Sequence, residues 1–223
     1  LRAQLQQVNA LLGTQPYDSV IDRLTEMSAE DRTRMALLQL LSQVSERTAN
    51  PALTAAALAT MTQLSLLRGR SPQLPVALAG YAYLVNWIYG DSRQGQQVAQ
   101  QSLRLSENTD NRAIAGKTRF LNGAKVIHWT AHLRESLPLM ESSRDLGLES
   151  GDWTTAGLAL LVAENNRWMM GQSLKQLQGR HAGQAQLLEQ INNPHLLEAF
   201  SCSAPYLTAQ LCCDETADES NQA

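Results

Sequence analysis

Helix-start signals recur along this chain at nearly constant spacing, and that recurrence limits the folds open to it. Ser28 precedes Ala29-Glu30-Asp31, a capping-box pattern with Asp in place of Glu. Asn50-Pro51, Ser71-Pro72 and Asn193-Pro194 are cap-then-proline starts. Asp110 and Asp152 are further candidate caps, and Gly69, Gly90, Gly123, Gly151 and Gly171 are candidate stops. Ser28 to Ser71 spans 43 residues, Ser71 to Asp110 39, Asp110 to Asp152 42 and Asp152 to Asn193 41. Each interval holds two helix-length segments and a break. A period of about 40 with one helix pair per unit is the pattern of an α-solenoid.

The tryptophans give a second register. Trp87, Trp129 and Trp168 are spaced by 42 and 39, each preceded by a polar residue, Asn86, His128 or Arg167. A large flat side chain at such a turn can fill the gap between one unit and the next. The expected fold is therefore all-α, a right-handed superhelical stack of about ten helices in antiparallel pairs. Units lie near 28–70, 71–109, 110–151, 152–192 and 193–213, after an N-terminal helical segment over 1–27. Residues 214–223 carry Asp214, Glu215, Asp218 and Glu219 with no apolar periodicity, and read as an acidic tail or linker.

Composition narrows the function. Eighteen basic against 21 acidic residues leave a net charge of −3, which excludes a strongly basic nucleic-acid surface. No apolar run reaches the roughly 18 residues of a membrane span. Cys202, Cys212 and Cys213 are an odd, crowded set rather than a disulfide framework, which points to a reducing, cytoplasmic setting. The chain begins at Leu1 without Met and reads as a segment of a longer protein.

Phosphate-binding and nucleophile-elbow motifs are missing from the sequence. His128 and His132 stand four apart, on one face if the helix is unbroken, but lack the Glu of a zinc-protease helix. His132 through Pro138 loosely echoes a histidine-kinase phosphoacceptor box, with Leu133 in place of the acid. Pro138 also fits the first turn of a following helix. His181 and His195 suit surface or cap roles, and neither a cofactor nor a metal is expected.

A resemblance enters through three groups of residues. His128-Trp129 is followed by Leu133, then by Leu137-Pro138-Leu139, then by Gly147-Leu148-Glu149-Ser150-Gly151-Asp152. Tyr89-Gly90-Asp91 fits an upstream turn. Together they are similar to the tetratricopeptide-like helical region of large bacterial multidomain signalling ATPases, over roughly Pro51 to Leu177. The ordinary tetratricopeptide period is 34, so a looser unit is implied. The resemblance implies a helical arm beside an ATPase or kinase module and supplies no catalytic residue.

The candidate functional feature is then a surface. Polar residues set in the apolar first helices, Asn86, Asn122, Lys125, His128, Glu164, Asn165 and Arg167, with Asn166 beside them, could form a carboxamide-and-cation groove for a protein partner or a neighbouring domain. They equally suit the solvated stripe of each helix. The competing functions are a small-ligand-sensing helical repeat of a transcriptional regulator and, at His132, phosphotransfer.

Overall fold

The computed structural model describes residues 1–12, 17–203 and Tyr206; Cys212, Cys213 and the acidic tail lie outside the described residues. The described residues form α1 (Arg2–Leu12), α2 (Tyr17–Ile21), α3 (Ala29–Arg47), α4 (Pro51–Arg68), α5 (Leu74–Tyr89), α6 (Ser92–Glu107) and α7 (Arg112–Leu121). A π-helical turn (Asn122–Val126) and two 3-10 turns (Ile127–Trp129, Leu133–Glu135) lead to α8 (Ser136–Ser150). Then come α9 (Trp153–Met169), α10 (Leu174–Ile191) and α11 (Pro194–Ser201). No helix among them is long and apolar enough to cross a membrane.

The caps explain the boundaries. Ser28 accepts from the Asp31 amide, Asn50 from Leu53, Asp152 from Thr155 and Asn193 from Leu196. Two starts differ from expectation. Asn111, not Asp110, caps α7 by accepting from Ile114. The Ser71-Pro72 pair forms a turn in which the Ser71 carbonyl accepts from Leu74, and α5 begins there with Pro75 in its first turn. Proline suits that place because its missing N–H would be unpaired anyway. Gly90 and Gly151 close α5 and α8 in the left-handed conformation, each followed at once by an aspartate that caps the next helix. Gly-Asp is thus the local recipe for reversing the chain here.

Gly123 is no stop. It lies inside the π turn, where an added Cβ would come within 2.5 Å of Met140 Cε. Its role is the close approach of that turn to α8. Gly69 has φ +110°, and a Cβ there would meet the Thr25 carbonyl at 2.2 Å. This lets Arg70 pair with the 25–27 segment, through Arg70 N to Thr25 O at 2.7 Å and Met27 N to Arg70 O at 2.9 Å.

Neighbouring helices pack in order. α4, α5, α7 and α9 form a consecutive row; α6 packs on α5 and α7, α8 on α7 and α9, and α10 on α9. The core is shared out along this array. One large cluster runs through α1, α4 and α5 around Leu5, Met61, Tyr81 and Leu84. Smaller ones sit around Met140 and Ala159, and around Leu188 and Phe200. Separate clusters fit a repeat-like array, in which each unit hides its apolar face only against the next. Buried polar bonds tie units together: Asn122 Nδ2 donates to Ser102 Oγ at 2.9 Å, and Asn166 Nδ2 to Ser136 Oγ at 2.6 Å.

The tryptophans do not fill gaps between units. Trp87, Trp129 and Trp168 are each 39–49% exposed. Trp87 lies in α5 and Trp168 in α9, but Trp129 belongs to a 3-10 turn. Trp87 instead stacks on Tyr83 one turn earlier, at 5.8 Å. Small side chains and glycines do the close packing, which leaves the indoles at the surface.

Helix α3 inverts the usual pattern. Its inward residues are Met35, Gln39, Ser42 and Ser45, with Leu38 half-buried on the core, whereas Leu37, Leu40, Leu41 and Val44 face solvent. Their i, i+3, i+4, i+7 spacing is that of a buried stripe. From Gln39 onward, a polar, small-residue face therefore lies toward the row of helices.

Candidate functional site

Between α3 and that row lies a cleft of about 290 Å³, near the lower end of small-molecule sites, roughly 300–1,000 Å³. Its floor and walls are Leu58, Val76, Tyr83, Phe120, Leu121 and Leu158, from α4, α5, α7 and α9. Gln39, Ser42 and Gln43 of α3 close it from the other side. Glu46, Arg47, Lys117, Lys125 and Asp152 are its charged residues.

Two ion pairs sit in this cleft and differ in kind. Lys117 Nζ lies 3.2 Å from Asp152 Oδ2, and both side chains are largely buried. Asp152 is fixed by its own helix: it caps α9 and accepts from Thr155 Oγ1 at 2.7 Å. Lys125 pairs instead with Glu46, which is 44% exposed on α3. The Lys125 ammonium also stands over the Tyr83 ring, 5.3 Å from its centroid. At the end of α3, Arg47 Nη2 donates to Thr154 Oγ1 at 3.1 Å.

The π turn sets the position of Lys125. Widening α7 by one residue changes the register of everything after Leu121. Such turns are rare and are found often at functional sites. The one sequence signal there, Gly123, reads as a helix stop and not as a widened turn.

Of the candidate binding residues singled out from sequence, only Lys125 lines this cleft. The others are dispersed, and most are buried within the helix stack rather than set along an open groove. Asn86 is 1% exposed, with neither amide atom hydrogen-bonded, and packs against Gly95 of α6. Asn122 and Asn166 make the inter-unit bonds given above. Asn165 is half-buried on α9. Glu164 and Arg167 form a buried cluster: Arg167 donates to Glu164 and to Glu141, each at 2.5 Å, and Arg180 Nε lies 3.4 Å from Glu164. They tie α8, α9 and α10 together.

His128 is exposed beside Trp129, and desolvation on its protein-facing side holds its imidazole below the ordinary 6.5. His128 and His132 do not share a helix face, because the 3-10 turns separate them. His132 caps the second of these, its Nδ1 accepting from the Arg134 amide at 3.1 Å. Pro138 sits in the first turn of α8. His181 is buried against Phe200 and Tyr206 rather than at the surface. No group of three or more metal-ligating side chains occurs among the described residues.

No family model matches this chain. No curated protein and no solved structure matches it either. The Gly90-Asp91 and Gly151-Asp152 pairs, which carry part of the resemblance to signalling ATPases, serve here as cap and recap at helix junctions.

The cleft residues missing from the sequence-based set are Glu46, Arg47, Tyr83, Lys117 and Asp152. Only Asp152 carried a signal, as a helix cap. The rest come together through helix packing, over separations that no local motif reports.

Proposed function

We propose that this chain is a non-catalytic sensing arm of a larger signalling protein, and that its sensing site is the cleft beneath α3. In this reading the helix pairs form a right-handed solenoid, with the first helices on its concave side. The observation that carries the reading is the polar-faced α3 lying over an apolar hollow, held at one end by the Arg47–Thr154 hydrogen bond. A bound molecule would change how α3 sits on α4, α5, α7 and α9. The adjoining module would read that change through the stack. The cleft volume and its cover favour a small molecule over the face of a folded partner. The resemblance to helical arms of bacterial signalling ATPases supports the setting.

A metabolite screen by thermal shift tests this, run on wild type and on Leu158→Trp, which fills the cleft. A compound that raises the midpoint of wild type but not of Leu158→Trp supports the reading. A screen whose hits all survive Leu158→Trp argues against it.

A second reading rests on a different observation. The outward stripe of Leu37, Leu40, Leu41 and Val44 has the spacing of a helix-docking face, and suits a partner protein's amphipathic helix. Pull-down of a true partner with wild type and with Leu37→Asp/Leu41→Asp would test it. Equal recovery would exclude that face.

A further inference from the structure

The charge inside the cleft names a class of ligand. This step rests on the reading of the cleft as the sensing site and goes beyond it. Three cations, Arg47, Lys117 and Lys125, face two acids, Glu46 and Asp152, so the lining carries one positive charge in excess. Arg47 is exposed and donates to Thr154 Oγ1, which leaves Lys117 and Lys125 as the sheltered cations that an anion could reach.

Lys117 cannot accept one readily. Its partner Asp152 is held by the first turn of α9 through the Thr155 amide and the Thr155 hydroxyl, so that carboxylate cannot turn away to make room for another anion. Lys125 differs. Its partner Glu46 lies on α3, is 44% exposed, and can turn to water without leaving a buried charge behind. An ion pair whose acid is open to water is weakened by solvent competition, so exchange of that partner is easy. Lys125 is itself only 27% exposed and rests over the Tyr83 ring, so its ammonium stays in place when Glu46 leaves. Beside it the cleft is walled by Leu58, Val76, Phe120, Leu121 and Leu158.

We infer that the cleft takes a monocarboxylate with an apolar body, an acyl or aryl acid. Its carboxylate replaces Glu46 on Lys125, and its hydrocarbon part fills the hollow between α3 and the helix row. Glu46 is then a built-in competitor that occupies the anion position when the ligand is absent. Release of Glu46 loosens one of the polar ties that hold the C-terminal end of α3, beside Arg47 to Thr154 and Ser45 to Thr54.

The test is calorimetric titration of the 223-residue chain with three probes of equal chain length: decanoate, decanol and decyltrimethylammonium. Decanoate is expected to bind at least about tenfold more tightly than either other probe. Glu46→Gln should tighten decanoate a few-fold by removing the competitor. Lys125→Gln should reduce decanoate to the affinity of decanol, whereas Lys125→Arg should keep the preference. Circular dichroism of each variant verifies folding. Preference for the cationic probe, or weaker decanoate binding to Glu46→Gln, would overturn the inference. Equal binding of decanoate and decanol, both lost in Leu158→Trp, would overturn the carboxylate and leave the cleft reading standing. If no probe binds, the inference falls. The cleft reading falls with it only if the metabolite screen also finds nothing that Leu158→Trp abolishes.

Discussion

Arg47 Nη2 donates to Thr154 Oγ1 at 3.1 Å, joining the last turn of α3 to the first turn of α9 across 107 positions of sequence. Both elements are otherwise held by their own neighbours, α3 by α4 and α9 by α7, α8 and α10. This exposed hydrogen bond therefore spans the opening of the cleft together with the Glu46–Lys125 ion pair.

Such a bond contributes little to global stability, because water replaces it when it breaks. Thr154→Val should lower unfolding free energy by no more than about 1 kcal/mol. Local opening is the more sensitive readout. Amide hydrogen exchange should speed up in the last turns of α3 and stay unchanged in α5. Unchanged exchange in α3 would show that the bond does not hold it.

Buried charge gives a larger effect. Arg167 is 7% and Glu164 3% exposed, and Glu141 completes the pair of carboxylates on the guanidinium. Removing Arg167 leaves the buried Glu164 with only the longer Arg180 contact at 3.4 Å, against a limit of about 3–5 kcal/mol for a buried charge with no partner. Arg167→Met should lower stability by up to that much in urea denaturation, the Arg180 contact offsetting part of it. Arg167→Met with Glu164→Leu should recover most of the loss, since an apolar replacement of both partners is often neutral. A double variant as unstable as the single one would mean that the cluster acts through something other than charge compensation.

Asn86 and Gly95 form a coupled pair. A Cβ on Gly95 would fall 1.9 Å from Asn86 Oδ1, and both polar atoms of that amide are buried without partners. Gly95→Ala alone should destabilise, although alanine favours a helix interior over glycine by about 1 kcal/mol. In an Asn86→Ala background the clash is gone, so Gly95→Ala should stabilise. The change of sign in a double-mutant cycle is the check. Additive effects would place the two side chains apart.

His128 gives a pH dependence. Desolvation holds its folded pKa below the ordinary 6.5, so the folded protein binds fewer protons there than the unfolded chain. Its contribution is therefore present above pH 6.5 and lost as pH falls through that value toward the lowered folded pKa. His128→Gln should flatten the stability profile just below pH 6.5. An identical slope in both proteins would contradict the assignment.

Helix existence was legible in the sequence, because caps act locally. Ser28, Asn50, Asp152 and Asn193 announce themselves within three residues of the amides that they satisfy. Boundaries failed where two candidates stood side by side, as at Asp110 and Asn111. The site was far less legible. Asn86, Asn122, Glu164 and Arg167 look like surface polar residues in a one-dimensional reading. Packing buries them instead and makes internal ties of all but Asn86, because small residues such as Gly95, Ser102 and Ser136 leave room inside. Helix α3 could not be read at all from periodicity, since its apolar stripe faces outward. The π turn that aims Lys125 has no sequence signature that local rules describe.

The orientation of α3 is the point on which the cleft depends, and cysteine labelling measures it directly. With Cys202, Cys212 and Cys213 replaced by serine, single cysteines at Leu40 and at Ser42 would be treated with a maleimide under native conditions. Leu40→Cys should label at close to the rate of the unfolded chain, and Ser42→Cys many-fold more slowly, as their exposed and buried positions require. The reverse order would place the leucine stripe against the helix row, leaving no cleft beneath α3.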